Sequence, residues 1–300
     1  MARDWERWLQ NSSGPASADE EAKRDRTEKR IRDAVRAAGI SAGDARIYVK
    51  GSYANNTNVR LDSDVDICVE WHSTYAVSRI GSATGASAQE LGYSPATVEF
   101  NPPAFRALLE RAMVNAFGAG AVDSTGNKVI TVAAGSTTLD ADVVPCREMQ
   151  RHDSIGAVPH VGSRLYPRNG GYVDNWPQQH YDNGVAKNRR TSKRFKAIIR
   201  CLKRLENEMV AASIITKPIP GYLIECLVWN APDSCFGNAQ LLTDLRAVFR
   251  SIWTPLSADD SCGNWGEINE LKYLFTGSQK WTRQEAFNFV DKAWGTVGVG

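Results

Sequence analysis

The most regular apolar pattern lies in the second half of the chain. In "TSKRFKAIIRCLKRLENEMV", Phe195, Ile198, Ile199, Leu202, Leu205 and Met209 recur three and four residues apart, which puts them on one stripe of a helix. "GYLIECLVWNA", "NAQLLTDLRAVFRSIW", "WGEINELKYLF" and "TRQEAFNFVDKAW" carry similar spacing, so helices are expected to dominate from Thr191 onward. The first half is mixed. "ARIYVKGSY" reads as a short strand entering a glycine turn, and "DVDICVEW" reads as a second strand. "NKVITVAAG" and "TTLDADVVPC" read as two further strands joined by a short Gly-Ser turn. Two helices accompany them. One opens at Ser17 with Glu20 three residues on, stops at Gly39, and has a narrow stripe of Ile31, Ala34, Val35 and Ala38. The other is "PAFRALLERAMVNAFG". Residues 77–95 read as a polar loop. Residues 151–190, rich in Gly, Pro, Asn, Asp and His, lack a period and are expected to form a long irregular connection.

A chain of 300 residues suits two lobes sharing an interface. The expected division is a mixed α/β (α+β) lobe over 1–165, with its N-terminal helix, and a helical lobe over 166–300. A net charge of +2 exerts no global pull on nucleic acid or membrane, which argues against long RNA as a partner. No run of eighteen apolar residues occurs, and "MARDWERWLQNSSG" lacks the apolar core of a signal peptide, so the expected compartment is the cytoplasm. The six cysteines include no C-x-x-C pair and the four histidines show no ligand spacing, so reduced, mostly buried thiols are expected. The tryptophans read mostly as packing residues.

Chemistry concentrates in "GSYANNTNVRLDSDVDICV". Side chains alternate across a strand, so Asp64 and Asp66 share one face while Val65 and Ile67 share the other. Two neighbouring carboxylates stay ionised together only with a cation between them, and magnesium suits all-oxygen ligands shared with substrate phosphates. "LDADVVPC" offers a third carboxylate, from Asp140 or Asp142, which would complete a two-metal site. Asp62 reads as a turn residue. Gly51 lets backbone approach a ligand, and Ser52 adds a hydroxyl beside free N–H groups that suit phosphate. Gly-Ser recurs at 81, 135, 162 and 277, but none of those is followed at similar distance by D-x-D entering an apolar strand. On the long helix, Lys196, Arg200 and Lys203 form a basic flank beside the apolar stripe. A solvated face is the ordinary reading of such a flank; a cation facing a cleft is the sharper one.

These residues resemble the signature of the DNA polymerase β-like nucleotidyltransferases. More narrowly, "GSYANNTNVRLDSDVDICV", "ADVVPC" and "RFKAIIRCLKRLENEM…IPGYLIECLVWN" are similar to the bacterial cGAS/DncV-like nucleotidyltransferases (CD-NTases), clade E, over residues 45–235. The resemblance implies a nucleotidyltransferase lobe with a mixed sheet, a helical lobe after it, and an active site in the cleft between them. It implies Asp64, Asp66 and Asp142 as catalytic metal ligands for two magnesium ions, or manganese in their place. It implies Gly51, Ser52 and Lys203 as contacts to the triphosphate. Where relatives commonly carry a phosphate- or base-contacting serine, this chain has Gly221, with a backbone N–H but no hydroxyl. An asparagine linked to pyrimidine acceptance matches Asn183, with Asn175 and Asn188 as rivals; Asn183 beside Gly184 also suits a plain turn.

The activity so implied is template-independent synthesis of a cyclic dinucleotide from two nucleoside triphosphates, UTP and ATP foremost. A separate effector would sense the uridine-containing product in antiphage defence. Transfer to an RNA 3′ end or to a small-molecule hydroxyl is the alternative, and a non-catalytic nucleotide-binding protein a more distant one.

Overall fold

A computed structural model describes residues 3–59, 64–94, 99–258, 261–277 and 279–298. Its elements begin with α1 (Trp5–Ser12), α2 (Ala18–Ala37), β1 (Ala45–Val49), α3 (Gly51–Asn55) and β2 (Val65–Arg79). There follow α4 (Pro102–Phe117), β3 (Val122–Asp123), β4 (Ile130–Val132), β5 (Ala141–His152), β6 (His160–Leu165) and β7 (Val173–Asn175). The chain continues with α5 (Pro177–Arg190), α6 (Arg194–Ala211), α7 (Gly221–Trp229), α8 (Leu241–Ser257) and α9 (Arg283–Val297).

Contacts divide the chain into two units. One comprises Ser17–Tyr53 and Ser63–Gln178; the other gathers Met1–Ala16, Ala54–Asp62 and Gln179–Gly300. This departs from a single cut after residue 165. The short helix α1 falls with the helical unit because Leu9 is buried in the core that also holds Phe195, Leu202 and Phe249. The chain changes unit between Tyr53 and Ala54, in the middle of the glycine-serine motif.

The first unit is built on one mixed sheet. β2 lies between antiparallel β1 and parallel β5; β5 then pairs antiparallel with β4 near its start and with β6 further along. Alternation decides which face is covered. Val65, Ile67 and Val69 of β2 and Ala141 and Val143 of β5 pack with Ile31 and Val35 of α2 and Leu109 and Met113 of α4. Each buried aliphatic side chain contributes about 1.5–3 kcal/mol. The opposite face is left for Asp66 and Asp142. Ser17 caps α2, its hydroxyl accepting the Glu20 N–H at 3.3 Å, as the sequence pattern predicts.

The irregular connection expected over 151–190 is instead β6, β7 and α5. The reason is that burial there uses few apolar residues, Leu165 and Trp176 apart. β6 buries Gly162, Ser163 and Arg164, and the buried residues of α5 are His180, Gly184 and Lys187. Lys187 Nζ donates to the carbonyls of Trp229 and Ala231 at 2.8 and 2.6 Å. Such a helix has no apolar stripe to read. Likewise β2 extends through Arg79, into the stretch expected to be a loop.

In the second unit α6, α7, α8 and α9 follow their apolar stripes around one core. The helix expected over 265–275 does not form. Gly266 bridges to Tyr273, the Leu274 N–H reaches Trp265 O at 2.7 Å, and Glu270 turns the chain with φ of 59°. Asn269 Oδ1 accepts the Leu271 N–H at 2.8 Å, a side-chain bond that competes with helix. Reduced cysteines are not found throughout: Cys68 and Cys146, brought together by the β2–β5 pairing, form a disulfide. Cys201, Cys226, Cys235 and Cys262 are outside any disulfide and buried, as expected.

Candidate active site

The parallel register of β2 and β5 sets Asp66 directly opposite Asp142. Two carboxylates on adjacent strands, about 5 Å apart at an effective dielectric near 20, repel by roughly 3 kcal/mol. Asp64 stands one step before β2, and burial together with the charges of Asp142 and Asp140 raises its carboxyl above the usual range. The three acids predicted to act together therefore share one electrostatic environment in the first unit. Asp62 lies outside the described residues.

The structure separates Asp140 from Asp142 by role. Asp140 Oδ1 accepts the Ala134 N–H at 2.7 Å and its carbonyl accepts the Val65 N–H at 2.9 Å, so it closes the β4–β5 turn and docks the start of β2. Asp142 Oδ1 accepts the Thr131 hydroxyl at 2.8 Å, from the residue paired with it on β4. Thr131 thus fixes the orientation of Asp142, a contribution that sequence reasoning missed although the hairpin register would have located it. Lys50 was missed too. Burial lowers its ammonium while the charges of Asp66, Asp142 and Glu70 oppose that shift, which places a cation among the acids.

Gly51 follows Lys50 with φ of 67°, and a Cβ built there would overlap Asp66 Oδ2. The glycine is required twice over, by its left-handed backbone and by the carboxylate that fills its side-chain space. Ser52 comes next in α3, and Tyr53 is a packing residue whose hydroxyl donates to Glu20 of α2 at 2.9 Å. Further along the same face, Cys68, Cys146 and Glu70 bring their ligand atoms within 4.8 Å of one another. The two sulfurs are bonded, and Glu70 accepts from Arg46 Nε at 3.1 Å and Tyr48 Oη at 2.8 Å, which makes this group a structural knot.

In the helical unit Lys196 and Arg200 of the basic flank of α6 are buried and Lys203 is partly so. Arg200 donates to the carbonyls of Ser13 and Asn56 at 2.7 and 2.6 Å, and Lys196 Nζ lies 5.6 Å from the Tyr181 ring centroid. Lys203 donates to Glu225 Oε1 of α7 at 2.6 Å. Burial alone would raise the Glu225 carboxyl, but Lys203 and His180 hold it down to about 2. Gly221 opens α7 against this lysine: a Cβ there would be 3.2 Å from Lys203 Cε. Asn183 lies on α5, not in a turn, and its amide donates to Ile268 O at 2.7 Å. Asn188 Oδ1 accepts the Lys196 N–H at 3.1 Å, while Asn175 is on β7 in the other unit.

The donor set of Asp66 and Asp142 on two adjoining strands, with Asp64 just before the first, is all carboxylate oxygen and suits a hard divalent cation. Residues 28–87 match the nucleotidyltransferase domain, and residues 182–298 the cGAS/DncV-like nucleotidyltransferase C-terminal helical domain. Fold and acidic face together define a nucleotidyltransferase, a fold that generally works with divalent metal ions. The chain is 37% identical to the cyclic dipyrimidine nucleotide synthase CdnE of Legionella pneumophila, over 99% of each chain. Its fold matches that of the Elizabethkingia meningoseptica CdnE cyclic dinucleotide synthase with GTP and Apcpp, with a TM-score of 0.81 at 30% identity, covering 98% of this chain and 99% of that one. The Rhodothermus marinus CdnE c-UMP-AMP synthase with Apcpp and Upnpp gives 0.82 at 26% identity, covering 98% and 95%. The chain belongs to the cGAS/DncV-like nucleotidyltransferases, in clade E, and is a cyclic dinucleotide synthase acting on nucleoside triphosphates. Among the described residues no helix is long and apolar enough to cross a membrane.

Proposed function

We propose that this enzyme joins two nucleoside triphosphates, UTP with UTP or ATP, into a uridine-containing cyclic dinucleotide. The product would switch on a separate effector in antiphage signalling. The observation that carries the reading is the in-register pair Asp66 and Asp142 with Asp64 beside it. The relatives named for cyclic dipyrimidine and c-UMP-AMP synthesis support the choice of base.

Asp64, Asp66 and Asp142 would hold two magnesium ions, with manganese as a substitute. Bound there, the metal supplies Lewis acidity, which lowers the pKa of the attacking ribose hydroxyl and neutralises charge on the departing pyrophosphate. Thr131 keeps Asp142 turned to the site through its 2.8 Å hydrogen bond. The Gly51 backbone, bare of a side chain, and the Ser52 hydroxyl approach the phosphates. Lys203 supplies a cation to the triphosphate, and the α7 N-terminus at Gly221 adds a backbone N–H. Asn183, with its amide nitrogen donating to Ile268, presents its carbonyl to the N3–H of uracil. After the first transfer has released pyrophosphate, the linear intermediate turns round, so that its second hydroxyl attacks the α-phosphorus of the remaining triphosphate and a second pyrophosphate leaves.

Incubation with magnesium and each pair of labelled triphosphates tests this. A phosphatase-resistant product that requires UTP is expected. No incorporation from any mixture, or label transferred only to added RNA, would contradict it.

A further inference from the structure

Lys203 does not project from its helix unsupported. The Glu225 Oε1 that accepts its ammonium at 2.6 Å also accepts the Thr57 hydroxyl at 2.8 Å, and His180 Nε2 lies 3.3 Å from Oε2. Thr57 and Glu225 stand 168 residues apart in the sequence, and their relative exposures are 1% and 3%. Around Glu225, α7 buries Leu223, Ile224, Cys226, Leu227 and Val228. A carboxylate on so apolar a helix is costly, and an ion pair in such a place is a weak source of stability compared with packed apolar side chains. Its presence calls for a reason beyond the core.

We propose that Glu225 is a positioning residue for the triphosphate: it fixes the Lys203 ammonium, with Thr57 locking the same carboxylate oxygen from the segment after α3. The inference rests on the reading that Lys203 meets the triphosphate. An ammonium carries three N–H donors, and one held by Glu225 leaves two in fixed directions. A lysine free on its four-carbon stem would have to be ordered by the phosphates themselves, at a cost to affinity. Gly221 completes the arrangement, since a side chain there would press on Lys203 Cε at 3.2 Å and Nζ at 3.4 Å.

Two effects of Glu225 oppose each other. Its orientation of Lys203 favours the triphosphate, while its negative charge disfavours any anion nearby. The sign of a substitution therefore decides between them. The experiment is calorimetric binding of a non-hydrolysable UTP analogue, with magnesium, to wild type, Lys203→Ala, Glu225→Gln and the double variant. Lys203→Ala is expected to weaken binding about tenfold or more, as loss of a charge-assisted hydrogen bond does. Glu225→Gln is expected to weaken it roughly tenfold in the wild-type background and not at all in Lys203→Ala, because the residue acts through the lysine. Thr57→Val keeps the carboxylate and removes one donor; it is expected to give the same background dependence at about threefold, and it serves if Glu225→Gln does not fold. Additive losses in the double variants, or tighter binding by Glu225→Gln alone, would overturn the positioning role while leaving Lys203 in place. Unchanged binding by Lys203→Ala would overturn the lysine reading itself.

Discussion

The carboxylates of β2 and β5 and the ammonium of α6 sit on opposite kinds of support. Asp66 and Asp142 alternate with Val65, Ile67, Ala141 and Val143, so the same few residues that seat the strands in the core also aim the acids away from it. Lys203 is held by a buried carboxylate, itself held by a hydroxyl and an imidazole from distant parts of the chain. Local alternation makes the first group robust to change elsewhere. The second depends on every member of a network, where the loss of one partner leaves another buried and unpaired. The same unit shows how narrow that balance is. Glu225 is held down to about 2 by Lys203 and His180, whereas burial pushes Glu206, on α6, up to about 7 despite the Ile219 N–H that it accepts at 2.7 Å.

The largest expected effect breaks the acidic group at its centre. Asp66→Asn should lower turnover on the order of a thousandfold or more, with circular dichroism and melting temperature close to wild type. Asp140→Asn, at a turn acceptor, should stay within about threefold of wild type in the same assay. Equal losses in both would erase the distinction drawn between the two acids.

The next effect lies in the helical unit and is read by stability. Burial pushes the folded Glu206 carboxyl up to about 7 from the ordinary 4.5 that it has in the unfolded chain, so the folded state binds more protons between them. Its contribution is complete below 4.5 and is lost as pH rises through 7, by up to about 3 kcal/mol. Denaturant unfolding of Glu206→Gln across that window should show a flatter decline than wild type. Glu225 runs the other way: its contribution is present above 4.5 and lost as pH falls toward 2.

Gly51→Ala should cost about 1–3 kcal/mol of unfolding free energy, since the backbone has φ of 67° and the new Cβ would meet Asp66 Oδ2. The smallest expected change is in base choice: Asn183→Ala should reduce the preference for UTP over other triphosphates about tenfold, read by competition between labelled substrates.

The contrast between the two groups also explains what could be read from the chain beforehand. D-x-D entering an apolar run, with a second D-x-D strand downstream, is a local pattern, and it located Asp66 and Asp142 on adjoining strands with Asp64 just before the first. The amphipathic helices α2, α4, α6, α8 and α9 were legible for the same reason. α5 was not, because its buried face is His180, Gly184 and Lys187. The Cys68–Cys146 pair and the Thr131–Asp142 bond depend on strand register, which composition does not reveal. Glu225 carries no sequence signal of its own: its role comes from Thr57, His180 and Lys203, which converge on it from distant parts of the chain. The helix expected over 265–275 failed because Asn269 and Glu270 turn the backbone there.

The most direct test of the account is mass spectrometry of the product formed from all four nucleoside triphosphates together, with magnesium, by wild type and by Asp142→Asn. A phosphatase-resistant cyclic dinucleotide containing uridine, made by wild type and absent with the variant, is the predicted result. The same product from Asp142→Asn, or only linear or RNA-linked nucleotides from wild type, would contradict it.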